Sequence, residues 1–180
     1  MYLYFLPLAD ALAAASQDVV FPVPTPDGGL EHTAAQFLHA SDWLRKAQSG
    51  EIILFPPQFL LLHLIAQFLV EPATAPTAQS QSSVREELKS QRKALQAFVR
   101  TGDPPWGEMC ISPVMLMRRK EDGKQVLGLD KPGPELEGSG RRGESEHVVL
   151  VDFKKDGPRN LEVRPRKAVF DEERTRSSRL

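Results

Sequence analysis

Residues 50–69, GEIILFPPQFLLLHLIAQFL, constrain this chain more than any other stretch. Ile52, Ile53, Leu54 and Phe55 form a continuous apolar run, the pattern of a strand covered on both faces. Pro56 and Pro57 end that run. Pro57 suits the opening of a helix, where the missing N–H has no intrahelical partner to lose and the fixed φ is already helical. The helix expected over about 57–70 has only Gln58, His63 and Gln67 as polar residues, so it needs apolar cover on nearly every side. Such a segment belongs inside a fold. The chain opens on a second core-type strand, MYLYFLPL, so the sequence leads us to expect that the material completing this fold lies upstream.

With 180 residues and 41 % hydrophobic content, there is enough apolar material for one real core, or for one core and an appendage. The net charge of −1 hides an asymmetry. Residues 1–83 carry two basic and seven acidic side chains, whereas residues 84–180 carry twenty-one and seventeen. Neither half is basic enough to point to nucleic acid. The single cysteine, Cys110, excludes an internal disulfide, and four scattered histidines give no spacing for a structural zinc. Asp10 and the lack of a preceding Lys or Arg argue that the apolar start is a strand and not a signal peptide. No apolar run reaches the length that spans a bilayer, because Pro56 and Pro57 break the longest one.

Beyond the opening strand, the Pro22–Pro26 region and Asp27-Gly28-Gly29 read as loop, and Glu31–Leu38 as a strand. Ser41 is the expected N-cap of a short helix bearing Trp43, Leu44 and Ala47, closed by Gly50. The stretch PATAPTAQSQS marks a low-complexity linker over 71–83. Ser83 with Glu86 reads as a capping box for a helix whose stripe is Val84, Leu88, Leu95 and Phe98, ending at Gly102. The remainder, 84–170, reads as this helix followed by strands. Ile111–Met117 is an edge strand because of Pro113, Asp122-Gly123 turns the chain into Val126–Leu129, and His147–Phe153 is a Val-rich strand that Asp156-Gly157-Pro158 turns into Leu161 and Val163. Residues 171–180 read as a charged, solvent-exposed tail. Its last residues, Ser178, Arg179 and Leu180, resemble the C-terminal tripeptide read by a peroxisomal import receptor, which implies a peroxisomal location, with cytoplasmic or mitochondrial alternatives.

Individually, the ionisable groups carry little chemistry. Glu135, Glu137, Glu144 and Glu146 could offer oxygen ligands to a hard cation, but such loops are usually just solvated. His63 reads as a satisfied core histidine, and Glu31 and His32 follow a turn without informative spacing. Trp106, in GDPPWGE, either stacks on a flat ligand or plugs the core. Gly138, Gly140 and Gly143 follow no strand and open no helix, so they fail as a phosphate cradle. Cys110 reads as a small core residue without an activating histidine.

At the level of whole segments, MYLYFLPL, the Pro/Asp/Gly loop, Glu31-His32-Thr33, the Trp43-Leu44 helix and GEIILFPPQFLLLHLI together resemble the downstream half of a Nudix hydrolase. The likeness is to a fungal member, in the branch that includes the peroxisomal coenzyme A diphosphatases, the nucleoside-diphosphate-linked moiety X motif nineteen-like proteins. RKALQAFVRTGDPPWGEMCISPV and LGLDKPGPELEGS are similar to the C-terminal extension of fungal members. The resemblance implies an α/β fold, with part of a Nudix αβα sandwich over 1–70 and an α+β extension after the linker. It implies a parent activity that hydrolyses a nucleoside diphosphate linked to another group, such as coenzyme A or acyl-coenzyme A, with Mg2+ or Mn2+. It also implies that Phe55, Pro56, Pro57 and Gln58 shape the substrate end of the pocket, whereas the bare residues suggest a strand-to-helix corner equally well. Glu31 is a weaker candidate for an accessory acidic role.

The defining Nudix box is missing. Arg85-Glu86-Glu87 is the one near match, but Glu87 stands where an apolar residue is needed and Lys89 and Ser90 stand at the paired-Glu positions. Glu71 and Thr77 stand at the upstream Gly and Glu positions. The ligands for Mg2+ or Mn2+ are therefore absent, no residue is assigned a catalytic role, and the chain alone is expected to be inactive, as a shortened or degenerate copy would be. The alternative from another class is a non-catalytic module that pairs through a strand edge.

Overall fold

A computed structural model describes residues 38–69 and 81–178. The strand expected at MYLYFLPL, all but Leu38 of the one expected at Glu31–Leu38, and almost all of the low-complexity linker lie outside them. The described elements belong to one unit, His39–Leu180. In chain order they are α1 (Ala40–Ser49), α2 (Pro56–Ala66), α3 (Gln81–Arg100), β1 (Ser112–Arg118), β2 (Gln125–Lys131), β3 (Glu144–Lys154), β4 (Gly157–Pro165) and α4 (Arg166–Ser177). The chain has both helices and a sheet, as its α/β patterning implies.

The four strands form one antiparallel sheet in the order β1-β2-β3-β4. Along β3 the side chains alternate between its faces, and Val148, Val149, Leu150 and Val151 are all fully buried. Val149 and Val151 lie in a core with Leu127, Leu129 and Leu161 of the sheet, Ala47 of α1, and Phe59, Leu60 and Leu64 of α2. Val148 and Leu150 lie in a second core with Val126 and with Val169 of α4. Burying one such side chain stabilises by about 1.5–3 kcal/mol, so both faces of β3 hold the fold. The helices before the expected linker and the strands after it therefore share one hydrophobic core.

β1 takes the edge position that Pro113 demands, with register shifts on either side of Val114-Met115. Gly128 leaves room on β2 for Leu116, whose Cδ1 would lie 2.9 Å from an added Cβ. At Gly143 a Cβ would stand 2.1 Å from the Leu129 carbonyl oxygen and 2.6 Å from that of Cys110, so only glycine lets the loop enter β3 here.

Several local expectations are corrected. Ile52–Phe55 is not a strand. Ile53 and Phe55 are exposed while Ile52 and Leu54 pack towards the first core, and no sheet strand pairs with the segment. α1 is capped by His39, whose Nδ1 accepts the Ser41 N–H, instead of by Ser41 itself. Gly50 closes α1 in the left-handed conformation, φ 81°, as expected. α2 buries one side, Phe59, Leu60 and Leu64, and its other apolar residues are half-buried, so it is covered on fewer sides than its composition implies. α3 already begins at Gln81, which places Ser83 inside the helix instead of at its cap.

The largest correction is α4. Residues 171–177 are helical and docked, not a solvated tail. Val169 supplies the apolar anchor, and charge supplies the rest. Arg119, only 7 % exposed, lies 2.6 Å from Glu121, 3.1 Å from Asp122 and 3.7 Å from Glu172. Arg164 meets Glu172 at 2.5 Å and Arg176 meets Glu121 at 2.6 Å, so the β1–β2 turn and β4 both grip the helix. Arg164 beside it holds the Glu172 carboxyl below the ordinary range. Ser178 ends the helix, its hydroxyl donating to the Arg174 and Thr175 carbonyls, and Arg179 and Leu180 lie outside the described residues.

Val169→Ala is expected to lower stability by about 2 kcal/mol in urea unfolding and to reduce hydrogen-exchange protection of α4 before that of β3. Equal loss across all elements would contradict separate docking of α4.

Candidate functional site

The corner before α2 begins with chemistry that the sequence forces. Pro56 and Pro57 occupy the first two helical positions, where the missing N–H groups are harmless. Of the orphan donors that remain, the Phe55 N–H is met by Gln58, which turns back so that its Oε1 accepts it at 2.9 Å. Pro56 is buried, Pro57 half-buried, Gln58 exposed, and Phe55 is 59 % exposed. The structure thus brings Phe55, Pro56, Pro57 and Gln58 together as a capped corner that presents an aromatic ring and one amide NH2 group to solvent. Two grooves on the described surface are lined by other residues.

The first groove, about 480 Å3, lies between Pro104, Gly107 and Glu108 on one side and Ser139, Gly140, Arg141 and Arg142 on the other. Arg142 pairs with Asp103 at 2.6 Å, and Arg141 Nη1 lies 3.6 Å from Cys110 Sγ. That arginine is the neighbour of Cys110 that sequence reasoning missed, because the two are separated by the whole β1–β2 hairpin. Trp106 packs against Phe98 with ring centroids 5.4 Å apart and joins the first core, which is the plug arrangement. The second groove, about 440 Å3, is lined by Arg166, Lys167, Phe170 and Arg174 of α4 with Glu146 and Ser145 of β3. Arg166 is held by Asp130 at 3.1 Å and lies over the Phe170 ring.

The four glutamates of the Gly-rich region do not converge. Glu144 is buried, 5 % exposed, at the start of β3, where it accepts the Glu146 and His147 N–H groups at 2.9 and 3.0 Å. Its Oε1 also meets His147 Nδ1 at 3.0 Å. That hydrogen bond raises the His147 pKa above the ordinary histidine value. Glu135, Glu137 and Glu146 stay exposed. Among the described residues, no three His, Cys, Asp or Glu side chains come together to hold a metal ion. None of their helices is long and apolar enough to cross a membrane. Glu31 and His32 lie outside the described residues. Comparison with protein families, with curated proteins and with solved structures returns no match.

Gln58→Ala is expected to destabilise the chain by about 1 kcal/mol, the net worth of one hydrogen bond, in chemical unfolding. Gln58→Glu keeps an acceptor and adds a favourable charge at the helix start, so it should lose little or nothing. Equal losses for both variants would show that the cap is not what Gln58 contributes.

Proposed function

We propose that these residues are the downstream part, or a degenerate copy, of a Nudix-type diphosphatase whose parent activity cleaves a nucleoside diphosphate linked to another group, with coenzyme A and its acyl derivatives as the substrate class. The observation that carries the reading is the segment 50–69, in which an apolar run, a Pro-Pro-Gln corner and an apolar helix follow one another. The geometry that supports it is the corner itself, which Gln58 closes and which leaves Phe55 and Gln58 exposed, as groups that meet a substrate must be. In this reading Phe55, Pro56, Pro57 and Gln58 form one wall of the substrate end.

The residues present do not fit Mg2+ or Mn2+. The sequence holds no Nudix box, and the buried Glu144 is committed to His147 and to two backbone N–H groups. No step of diphosphate cleavage is therefore assigned to a side chain of this chain. Its part in the reaction is scaffold and substrate wall, and the ions and the attacking water belong to a box-bearing segment.

Incubated with coenzyme A or an acyl-coenzyme A and millimolar Mg2+ or Mn2+, the purified chain is expected to give no diphosphate cleavage above buffer. Fused behind a box-bearing Nudix segment, it is expected to support metal-dependent cleavage, and Gln58→Ala in the fusion should raise KM more than it lowers kcat. Turnover by the chain alone would contradict its inactivity. A folded fusion without turnover would contradict the family reading.

A further inference from the structure

β3 enters the sheet through an irregular step. Glu144 stands opposite Leu129 of β2 and Val148 stands opposite Gly128, the neighbour of Leu129 in the chain, so Ser145, Glu146 and His147 have no partner residue on β2. A bulge of this kind leaves backbone N–H groups without ladder partners. On the other side His147 stands opposite Pro165, which has no N–H to offer. Just upstream the chain is pinned, the Gly143 N–H donating to the Asp130 carbonyl at 2.9 Å and the Cys110 N–H to the Arg142 carbonyl at 3.1 Å.

One side chain closes the bulge. The buried Glu144 carboxylate accepts the Glu146 N–H at 2.9 Å, the His147 N–H at 3.0 Å and the ring N–H of His147 Nδ1 at 3.0 Å. A carboxylate only accepts, so Nδ1 keeps its proton in both states of the ring and the titrating proton sits on Nε2. Ser145 and Glu146, the two exposed residues of the bulge, line the groove beside α4. We propose that Glu144 and His147 form a proton-linked clasp that closes the bulge at the entry to β3 and so sets the wall that Ser145 and Glu146 give to that groove.

The charges around the ring favour this assignment. The hydrogen bond to Glu144 outweighs the opposing effect of burial, the negative charges of Glu144 and Glu146 add to it, and the His147 pKa rises. On the elements packed against β3, most charged side chains are engaged with one another. Asp130 of β2 pairs with Arg166 of α4, and Lys131 is exposed. On β4, Arg159 pairs with Asp156, Glu162 with Lys124 and Arg164 with Glu172. On α4, Asp171 pairs with Arg174 and Arg176 with Glu121, Lys167 is exposed, and Glu173 is buried on the side of Val169. His63 is the one ionisable residue of α2, and burial, followed by the charge of His147, pushes its pKa down.

The two histidines therefore titrate in separate windows. His147, raised, contributes stability that is fully present below the ordinary histidine value of about 6.5 and is lost as pH rises through its folded value. His63, lowered, titrates below about 6.5 and is neutral throughout the interval in which the clasp loosens.

Urea unfolding of the full chain and of His147→Gln, at about pH 6 and about pH 8.5 on either side of that interval, isolates the contribution of His147, because every other titrating group is common to both proteins. The midpoint of the unaltered chain is expected to exceed that of the variant by more at the lower pH, and an equal gap at both would overturn the proposal. NMR titration supplies the local readout and, if the variant does not fold, decides alone. In the unaltered chain the His147 ring should titrate above the ordinary value, with the amide signals of Ser145 and Glu146 moving at the same midpoint, and Glu144→Gln should bring the ring back down. A His147 ring that titrates at or below the ordinary value, or Ser145 and Glu146 signals that do not follow it, would overturn the clasp.

Discussion

Two-sided burial of β3 is the constraint on which the rest of the unit depends. Four consecutive β-branched or leucine residues, Val148 to Val151, cannot face water on either side, so each face of the sheet needs a cover. α1 and α2 cover one face and α4 covers the other. Antiparallel meanders often leave one face wet, and this one does not. The demand reaches well along the chain, from Ala47 to Val169.

The two covers are built from different physics. α2 brings Phe59, Leu60 and Leu64, and dispersion and burial hold it with little help from charge. α4 brings one buried aliphatic side chain and a ring of ion pairs around Arg119 and Glu172. Exposed pairs contribute little singly, but a network around an arginine that is nearly excluded from solvent fixes register and orientation.

The sheet was legible because its signals are local. Pro113 placed β1 at the edge, Asp122-Gly123 marked the first hairpin, and the Val-rich run marked β3. The irregular pairing around Val114 and Met115 also blunts that edge. Non-local matters were not legible. Ile52–Phe55 has the composition of a doubly covered strand, but composition does not supply a neighbour, and half of its residues end exposed. α4 buries one apolar side chain, Val169, and its partners Arg119 and Glu121 lie about fifty residues upstream, beyond any periodicity. For the candidate site, the sequence located the Pro-Pro-Gln corner but not the bond by which Gln58 closes it. The pairing of Glu144 with His147 had only a three-residue spacing at the edge of a loop to announce it.

The proposed function rests on the missing Nudix box, the carboxylate set with which such an enzyme would grip a divalent ion. Electron paramagnetic resonance of Mn2+ titrated with the purified chain tests this directly, since bound Mn2+ loses its sharp six-line aqueous signal. The account predicts that the signal stays that of free Mn2+ at every protein concentration in the micromolar range. A saturable, stoichiometric loss of signal would contradict it.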